Sequence, residues 1–166
     1  MSHHENEKAR SAVAIEDGQW TLSITRVLNA PRELLWRMWT EPEHLMQWYC
    51  PVDFTPEFVE VDLRLNGAWR AGMRAPDGTV LVRGGTFQEI HPPERLVFTQ
   101  AWEEDRPDQP CQTTMPTLVT MSFTEHKGKT EMHFEQVGFV SEASRDAHRG
   151  GWNSTLDHLE AHLARA

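Results

Sequence analysis

The period of the hydrophobic pattern along this chain limits the folds open to it. Between residues 20 and 137, short segments alternate apolar with polar side chains, which is the period of half-buried strands. The predicted strands are 20–27, 58–65, 69–73, 80–90, 95–103, 117–125 and 130–137. Most segments are joined by short turns such as Asn66-Gly67 and Pro76-Asp77-Gly78. The pattern therefore predicts an antiparallel sheet of about six to seven strands.

Two short helices are predicted directly after the first strand. Residues 34–39 place their apolar side chains at helical spacing, which is typical of a helix with one buried face. Pro42 ends this helix and begins a second one, which continues to Trp48. Pro51 then favours an extended exit towards the next strand.

The C-terminal segment has a different period. Its inward stripe recurs at steps of three and four: Arg145, His148, Trp152, Leu156, Leu159 and Leu163. A helix with one apolar stripe must bury it, and an antiparallel sheet commonly has one face to bury. We therefore expect an α+β fold in which a curved sheet wraps around this helix. A strongly curved sheet cannot contact a straight helix along its whole length, so the pattern is compatible with a cavity between them, although periodicity alone does not prove one. Gly150-Gly151 suits a close approach to the sheet or a slight kink.

Composition limits the partners. The chain has 16 basic and 25 acidic residues and a net charge of -9, which disfavours nucleic acid and anionic membranes. The sequence contains no run of about 18 apolar residues, so no membrane span is predicted.

The cysteines and the chain bounds give further expectations. Cys50 and Cys111 show no metal-like spacing, and free thiols fit a cytoplasmic protein. We interpret residues 1–16 as a mobile tail and residues 17–166 as one domain; a homodimer is a general expectation.

Several local runs, together with the order of elements, resemble one known family. The runs are Trp39 to Leu45 with Trp48, Gly67 to Arg70, Pro76 to Gly78, Gly85 to Thr99, Gly138-Phe139 and Gly151 to Leu159. They resemble the helix-grip proteins of the START and birch-pollen-allergen superfamily, in the branch named after the C-terminal domain of the activator of Hsp90 ATPase. The resemblance spans about residues 20–163 and implies a helix-grip fold with a pocket. Ligand carriers, polyketide cyclases, resistance proteins and co-chaperones share this fold, so it does not define a reaction.

The residues expected to line this pocket are mostly aromatic. The predicted walls are Trp39, Trp48, Trp69, Met73, Phe87, Trp102, Met121, Phe134 and Trp152, with Gln100 and His148 as orienting polar groups. Aromatic side chains provide large apolar contacts and stack on flat ligands. Any one tryptophan can equally be a core residue, because buried aromatic residues normally serve packing. Both interpretations stay open at this point.

His148 is the one candidate for a catalytic acid or base, because it lies one turn before Trp152 on the inward stripe. A histidine that hydrogen-bonds a neighbouring backbone group is the favoured interpretation. Arg145 is expected to pair with Glu142 or an acid of the sheet. His158 and His162 have metal-ligand spacing but lie off the stripe, so we interpret them as part of a solvated face. No metal and no cofactor is predicted.

Three functions are compatible with these features. The first is binding of a small apolar or aromatic molecule between sheet and helix. The second is a cyclase-like or hydrolase-like enzyme acting on a polyketide-like or aromatic substrate through His148. The third is an interaction with a chaperone, which the family name suggests. This third function is less expected, because the name-giving domain normally accompanies a second domain that this sequence lacks. The sequence favours a binding protein over an enzyme.

Overall fold

The computed structural model describes residues 20–106 and 113–166, so the predicted tail at 1–16 lies outside the described residues. The elements in chain order are β1 (Trp20–Leu28), α1 (Arg32–Thr40), α2 (Pro42–Trp48), β2 (Thr55–Val61), β3 (Ala68–Arg74), β4 (Val80–His91), β5 (Arg95–Trp102), β6 (Thr117–His126), β7 (Lys129–Phe139) and α3 (Glu142–Arg165).

The seven strands form one antiparallel sheet in the order β1-β7-β6-β5-β4-β3-β2. β1 therefore pairs with the last strand, while β2 forms the other edge. α3 packs against β1, β7 and α2. The predicted α+β helix-grip architecture, with two short helices after the first strand and a long C-terminal helix, is confirmed.

The pairing between β4 and β5 is close and irregular. A Cβ atom at Gly85 would overlap the carbonyl oxygen of Thr99, so the close approach of these two strands requires glycine. The register between β4 and β5 shifts a few residues later, between Phe87 and Glu89. Such irregularities increase the twist of a sheet and help it to curve.

The inward stripe of α3 closes the core. Trp152, Leu156 and Leu159 are at most 6% exposed and pack into the same hydrophobic cluster as α1, α2 and the sheet. The neighbouring polar face of α3 is held by Arg26 of β1. The Arg26 guanidinium donates to Asp157 Oδ1 at 2.9 Å and to the backbone oxygen of Asn153 at 3.0 Å. The sheet therefore contacts both the apolar stripe and part of the polar face.

The hairpin between β2 and β3 differs from its prediction. β2 ends at Val61, whereas the alternation predicted a strand through Leu65. The amide of Asp62 donates to the Ala68 carbonyl and closes the hairpin there, while Gly67 N donates to Arg64 O inside the turn. These local hydrogen bonds form a wide turn over residues 62–67, which leaves Leu65 exposed.

Candidate functional site: a cavity at one end of the helix grip

A cavity of about 390 Å³ lies where the N-terminal half of α3 faces the ends of β3, β4 and β5. We call it the end cavity. Its walls are Pro51, Phe54, Met73, Ala75, Asp77, Thr79, Leu81, Arg83, Gln100, Trp102, Arg106, Ala147, His148, Gly151 and Trp152. Exposed Asp77 and Thr79 mark its mouth, while buried Arg83, Gln100 and Trp152 form its inner wall. A volume of this size lies within the range of roughly 300–1,000 Å³ that small-molecule sites occupy.

Two small residues on α3 help to keep the end cavity open. Ala147 and Gly151 are one helical turn apart and alternate along the cavity wall with the larger His148 and Trp152. A Cβ atom added at Gly150 or Gly151 would meet no atom within 4 Å. The glycine pair therefore does not serve a close approach to the sheet. Gly151 instead leaves space in the end cavity.

Arg83 is a buried cation in the inner wall, only 4% exposed. One guanidinium nitrogen, Nη2, donates to the backbone oxygen of Tyr49 at 2.7 Å. The guanidinium also lies over the rings of Tyr49 and Trp102, with its central carbon 4.6 and 5.7 Å from the ring centroids. The other terminal nitrogen, Nη1, is buried and has no hydrogen-bond partner in the part of the chain that the structure describes. Among residues 20–106 and 113–166, no carboxylate forms an ion pair with Arg83.

Burial affects the ionisation of the groups around Arg83. It lowers the pKa of Arg83 from its ordinary value, although an arginine stays protonated in proteins. It also raises the pKa of Tyr49 to about 12 and raises the pKa of the Cys50 thiol. Tyr49 and Cys50 are thus neutral near pH 7 and supply no negative charge to the guanidinium.

Gln100 is the second unpartnered polar group of the inner wall. It is 3% exposed, and its side-chain oxygen Oε1 is buried without a hydrogen-bond partner in residues 20–106 and 113–166. Arg83 pairs with Trp102 across β4 and β5, so Gln100 is the diagonal neighbour of Arg83 on the same face of the sheet. A buried amide oxygen without a partner is costly, typically about 1–3 kcal/mol. The residues of the inner wall therefore include both a buried donor and a buried acceptor that lack a hydrogen-bond partner among the described residues.

A chain of buried hydrogen bonds fixes the indole of Trp152 at the cavity wall. Trp152 Nε1 donates to Gln136 Oε1 at 2.8 Å, and Gln136 Nε2 donates to Thr117 Oγ1 at 2.8 Å. The Thr117 hydroxyl in turn donates to the backbone oxygen of Gln100 at 3.0 Å. The edge of the indole is thereby satisfied inside the protein, and Trp152 contributes apolar surface to the end cavity.

Both ring nitrogens of His148 have partners. Nδ1 lies 2.9 Å from the backbone oxygen of Ser144, and Trp102 Nε1 donates to Nε2 at 3.4 Å. This arrangement fits a neutral imidazole that is protonated on Nδ1. Burial, together with the charge of Arg83, lowers the pKa of His148, while the bond to Ser144 opposes this shift. The favoured prediction of a histidine bonded to a neighbouring backbone group matches this geometry.

The structure separates the eleven predicted pocket residues into three groups. Five line the end cavity: Met73, Gln100, Trp102, His148 and Trp152. Three line a separate crevice of about 20 Å³, which is too narrow for an organic ligand: Trp39, Trp69 and Phe87. Three are fully buried in the packed core and line no described cavity: Trp48, Met121 and Phe134. The space between sheet and helix is thus filled at one end and open at the other.

Sequence reasoning missed Arg83, although a signal for it was present. Arg83 and Phe87 are four residues apart on β4, so their side chains lie on the same face of the strand. A charged residue on a face shared with a buried aromatic residue is unusual and marks a candidate site. Gln100 likewise lies on the same face of β5 as Phe98 and Trp102, and on this basis it was predicted from the sequence as a polar group of the pocket.

The remaining candidates lie away from the end cavity. His158 Nδ1 lies 2.7 Å from the backbone oxygen of Cys50, and His162 Nε2 lies 3.1 Å from Nδ1 of His44. Arg145 pairs with Asp146 at 2.9 Å and with Glu142 at 3.5 Å, as predicted for the latter. Within the described ranges, no group of three or more metal-ligating side chains occurs, and none of the helices is long and apolar enough to span a membrane.

A comparison with known protein families identifies the family to which this chain belongs. The family described as activator of Hsp90 ATPase homolog 1-like protein matches residues 29–164. This match covers most of the chain, so the protein belongs to that family, and the resemblance drawn from the sequence is confirmed. No functionally curated protein matches the sequence significantly.

Solved structures share the fold at low sequence identity. A protein of Nitrosomonas europaea is 24% identical, with a TM-score of 0.73, over 90% of this chain and 97% of its own. A Silicibacter pomeroyi protein named AHSA1 is 23% identical, with a TM-score of 0.75, over 87% and 98% of the two chains. An AHSA1-like protein of Aeromonas hydrophila is 22% identical, with a TM-score of 0.71, over 88% and 93%. These likenesses establish the helix-grip fold.

Proposed function

We propose that this protein binds a small hydrophobic or aromatic molecule in the end cavity. One observation carries the proposal: the inner wall combines apolar side chains with two buried polar atoms, Arg83 Nη1 and Gln100 Oε1, that have no hydrogen-bond partner among the described residues. Ligand sites are typically concave, mostly apolar and provided with a few converging polar groups. The end cavity has these properties, and its tryptophans offer flat surfaces for stacking.

The wall residues have distinct roles in this proposal. Trp102 and Trp152 contact the ring of the ligand, while Met73, Leu81 and Phe54 enclose its apolar edge. The hydrogen bonds of Trp152 and Trp102 to Gln136 and His148 hold both indoles in place without the ligand. Such pre-organisation reduces the conformational entropy lost on binding. His148 supports Trp102 and is not required to move a proton.

Binding of a neutral aromatic probe tests this function. Calorimetric titration with 2-naphthol should give saturable binding to the wild-type protein. Gly151→Leu should weaken that binding at least tenfold, because the new side chain points into open space in the end cavity. Gly150→Leu is the matched control: it lies next to Gly151 on α3 but does not line the cavity, so binding should persist. No binding to the wild type, or equal binding to both variants, would contradict the proposal.

An enzyme of the cyclase or hydrolase type is the second candidate, because His148 lies in the cavity wall. Both of its nitrogens are already engaged, so a catalytic role requires the bond from Trp102 to open. Turnover of a bound substrate that His148→Gln abolishes while binding persists would favour the enzyme. A stable complex with an Hsp90-type chaperone would favour an interaction protein instead.

A further inference from the structure

Arg83 presents a buried positive charge to the end cavity, and no described residue neutralises it. Its Nη1 has no hydrogen-bond partner, and no carboxylate of the described residues forms an ion pair with it. Arginine is almost never fully buried without a counter-charge, because removing an ion from water is expensive. An unpaired buried guanidinium in a cavity wall therefore points to an anion that arrives from outside.

The surroundings of Arg83 hold the guanidinium in position without using its free nitrogen. Tyr49 accepts a hydrogen bond through its backbone oxygen and supports the guanidinium with its ring, and Trp102 flanks it at a longer distance. Aromatic faces attract a cation and supply no full negative charge. The contacts fix Nη2 and leave Nη1 without a hydrogen-bond partner among the described residues.

The other charged and titratable groups described around the end cavity do not neutralise the guanidinium of Arg83. Asp77 lies at the exposed mouth, where its Oδ1 accepts a hydrogen bond from Thr79 N at 2.9 Å, and Arg106 is near it. His148 is neutral in the geometry described above. The described residues of the inner wall thus carry a net positive charge, and none of them donates a hydrogen bond to the adjacent amide oxygen of Gln100.

We infer that the ligand of this cavity is a small aromatic acid whose carboxylate pairs with Arg83. This inference rests on the proposed function and specifies the chemical class that the site selects. The ring lies against Trp102 and Trp152, and the carboxylate accepts a hydrogen bond from Arg83 Nη1. A hydroxyl or N–H group beside the carboxylate would donate to Gln100 Oε1. Charge-assisted hydrogen bonds of this kind are stronger than neutral ones, more so where water is excluded.

Paired probes with and without the charge test the inference. 2-Naphthoate and methyl 2-naphthoate share one ring system, but only the first is ionised at neutral pH. Titration calorimetry of the wild type should show tighter binding of the acid by about tenfold or more. Arg83→Met should bind the acid and the ester with equal affinity, because the charge that distinguishes them is gone. Arg70→Met is the matched control, because Arg70 lies on the outer face of β3 and pairs with Glu103, so the preference should persist.

The outcomes separate the two proposals. Equal binding of acid and ester by the wild type, or an acid preference that survives in Arg83→Met, would overturn the inference and leave the binding function intact. Failure of both compounds to bind would overturn both. If Arg83→Met does not fold, Arg83→Gln removes the charge while keeping N–H donors for Tyr49, with the same expected loss of preference. A hydroxy-substituted 2-naphthoate should bind the wild type more tightly than 2-naphthoate does. If Gln100→Leu removes this gain, the result would further support the site.

Discussion

The indole nitrogen of Trp152 donates to the side-chain oxygen of Gln136, 2.8 Å away, and this bond joins α3 to β7 at the inner edge of the end cavity. Gln136 is fully buried and also donates to Thr117, so one side chain satisfies two buried partners. Trp152 is thereby fixed with one face towards the cavity. The stability of the fold and the shape of the site depend on the same contact.

Replacement of Gln136 by leucine should destabilise the protein. The indole N–H of Trp152 would lose its buried acceptor, and the Thr117 hydroxyl would lose a donor, so we expect a loss of about 1–3 kcal/mol in the free energy of unfolding. Urea denaturation measures this quantity. Gln47→Leu, at an exposed position of α2, should change it by less than about 0.5 kcal/mol. In a double-mutant cycle, Trp152→Phe should cost less in the Gln136→Leu background than in the wild type, and additive costs would exclude the coupling.

Both glycines of α3 should be replaceable by alanine with a gain in stability. Each lies inside the helix, and a Cβ atom there meets no atom within 4 Å. Alanine lowers the backbone entropy of the unfolded chain, so each variant should unfold with a free energy higher by about 0.5–1 kcal/mol. Thermal and urea unfolding measure the change. Destabilisation by Gly151→Ala alone would mean that the end cavity is closed around this residue.

Arg83→Met should cost little stability in the ligand-free protein. The variant loses the bond to Tyr49 and the ring contacts, but it also loses the desolvation penalty of an unpaired ion, which is several kcal/mol. We expect the free energy of unfolding to fall by no more than about 1 kcal/mol or to rise. Arg70→Met, which breaks an exposed pair with Glu103, should cost about 0–1 kcal/mol. A loss of about 3 kcal/mol or more in Arg83→Met would instead show that Arg83 belongs to a satisfied structural network.

The lowered pKa of His148 predicts a loss of stability in acid. Burial favours the neutral imidazole in the folded state, whereas the unfolded histidine titrates near its ordinary pKa of about 6.5. The stabilising contribution is therefore complete above that pKa and is lost as the pH falls below it. His148→Gln should lose less stability than the wild type between about pH 7.5 and 5.5. His126→Gln, at an exposed position, is the control; identical pH profiles for His148→Gln and the wild type would contradict the assignment.

Periodicity predicted the architecture because it reports which face of each element is buried. The stripe through Trp152 and Leu159 required a covered helix, and the alternation along the strands required a sheet with one covered face. The same pattern could not separate wall residues from core residues, because burial alone does not show whether a side chain meets protein or space. Trp48 and Trp102 were both predicted from the sequence as aromatic residues of the pocket wall. Of these two, Trp102 lines the end cavity, whereas Trp48 is buried in the packed core.

Two inward polar residues show a further limit of the pattern. Arg26 and Arg83 both occupy inward positions of their strands. Arg26 meets Asp157 and Asn153 of α3, whereas Arg83 hydrogen-bonds a backbone oxygen, lies over aromatic rings and forms no ion pair with a carboxylate of the described residues. Whether an inward arginine is structural or is left for a ligand depends on partners that are distant in sequence. Three-dimensional coordinates are needed to identify those partners.

The indole N–H resonances of the seven tryptophans provide the most direct test of the binding function. Two-dimensional ¹H–¹⁵N spectra, assigned with single Trp→Phe variants, would be recorded during titration with 2-naphthol. The signals of Trp102 and Trp152 should shift and saturate together, because both indoles line the end cavity. The signal of Trp48, which is fully buried and donates to Met38 O at 3.1 Å, should stay in place. Unchanged signals of Trp102 and Trp152 at saturating probe, or a shift confined to the exposed Trp20, would contradict a ligand site between sheet and helix.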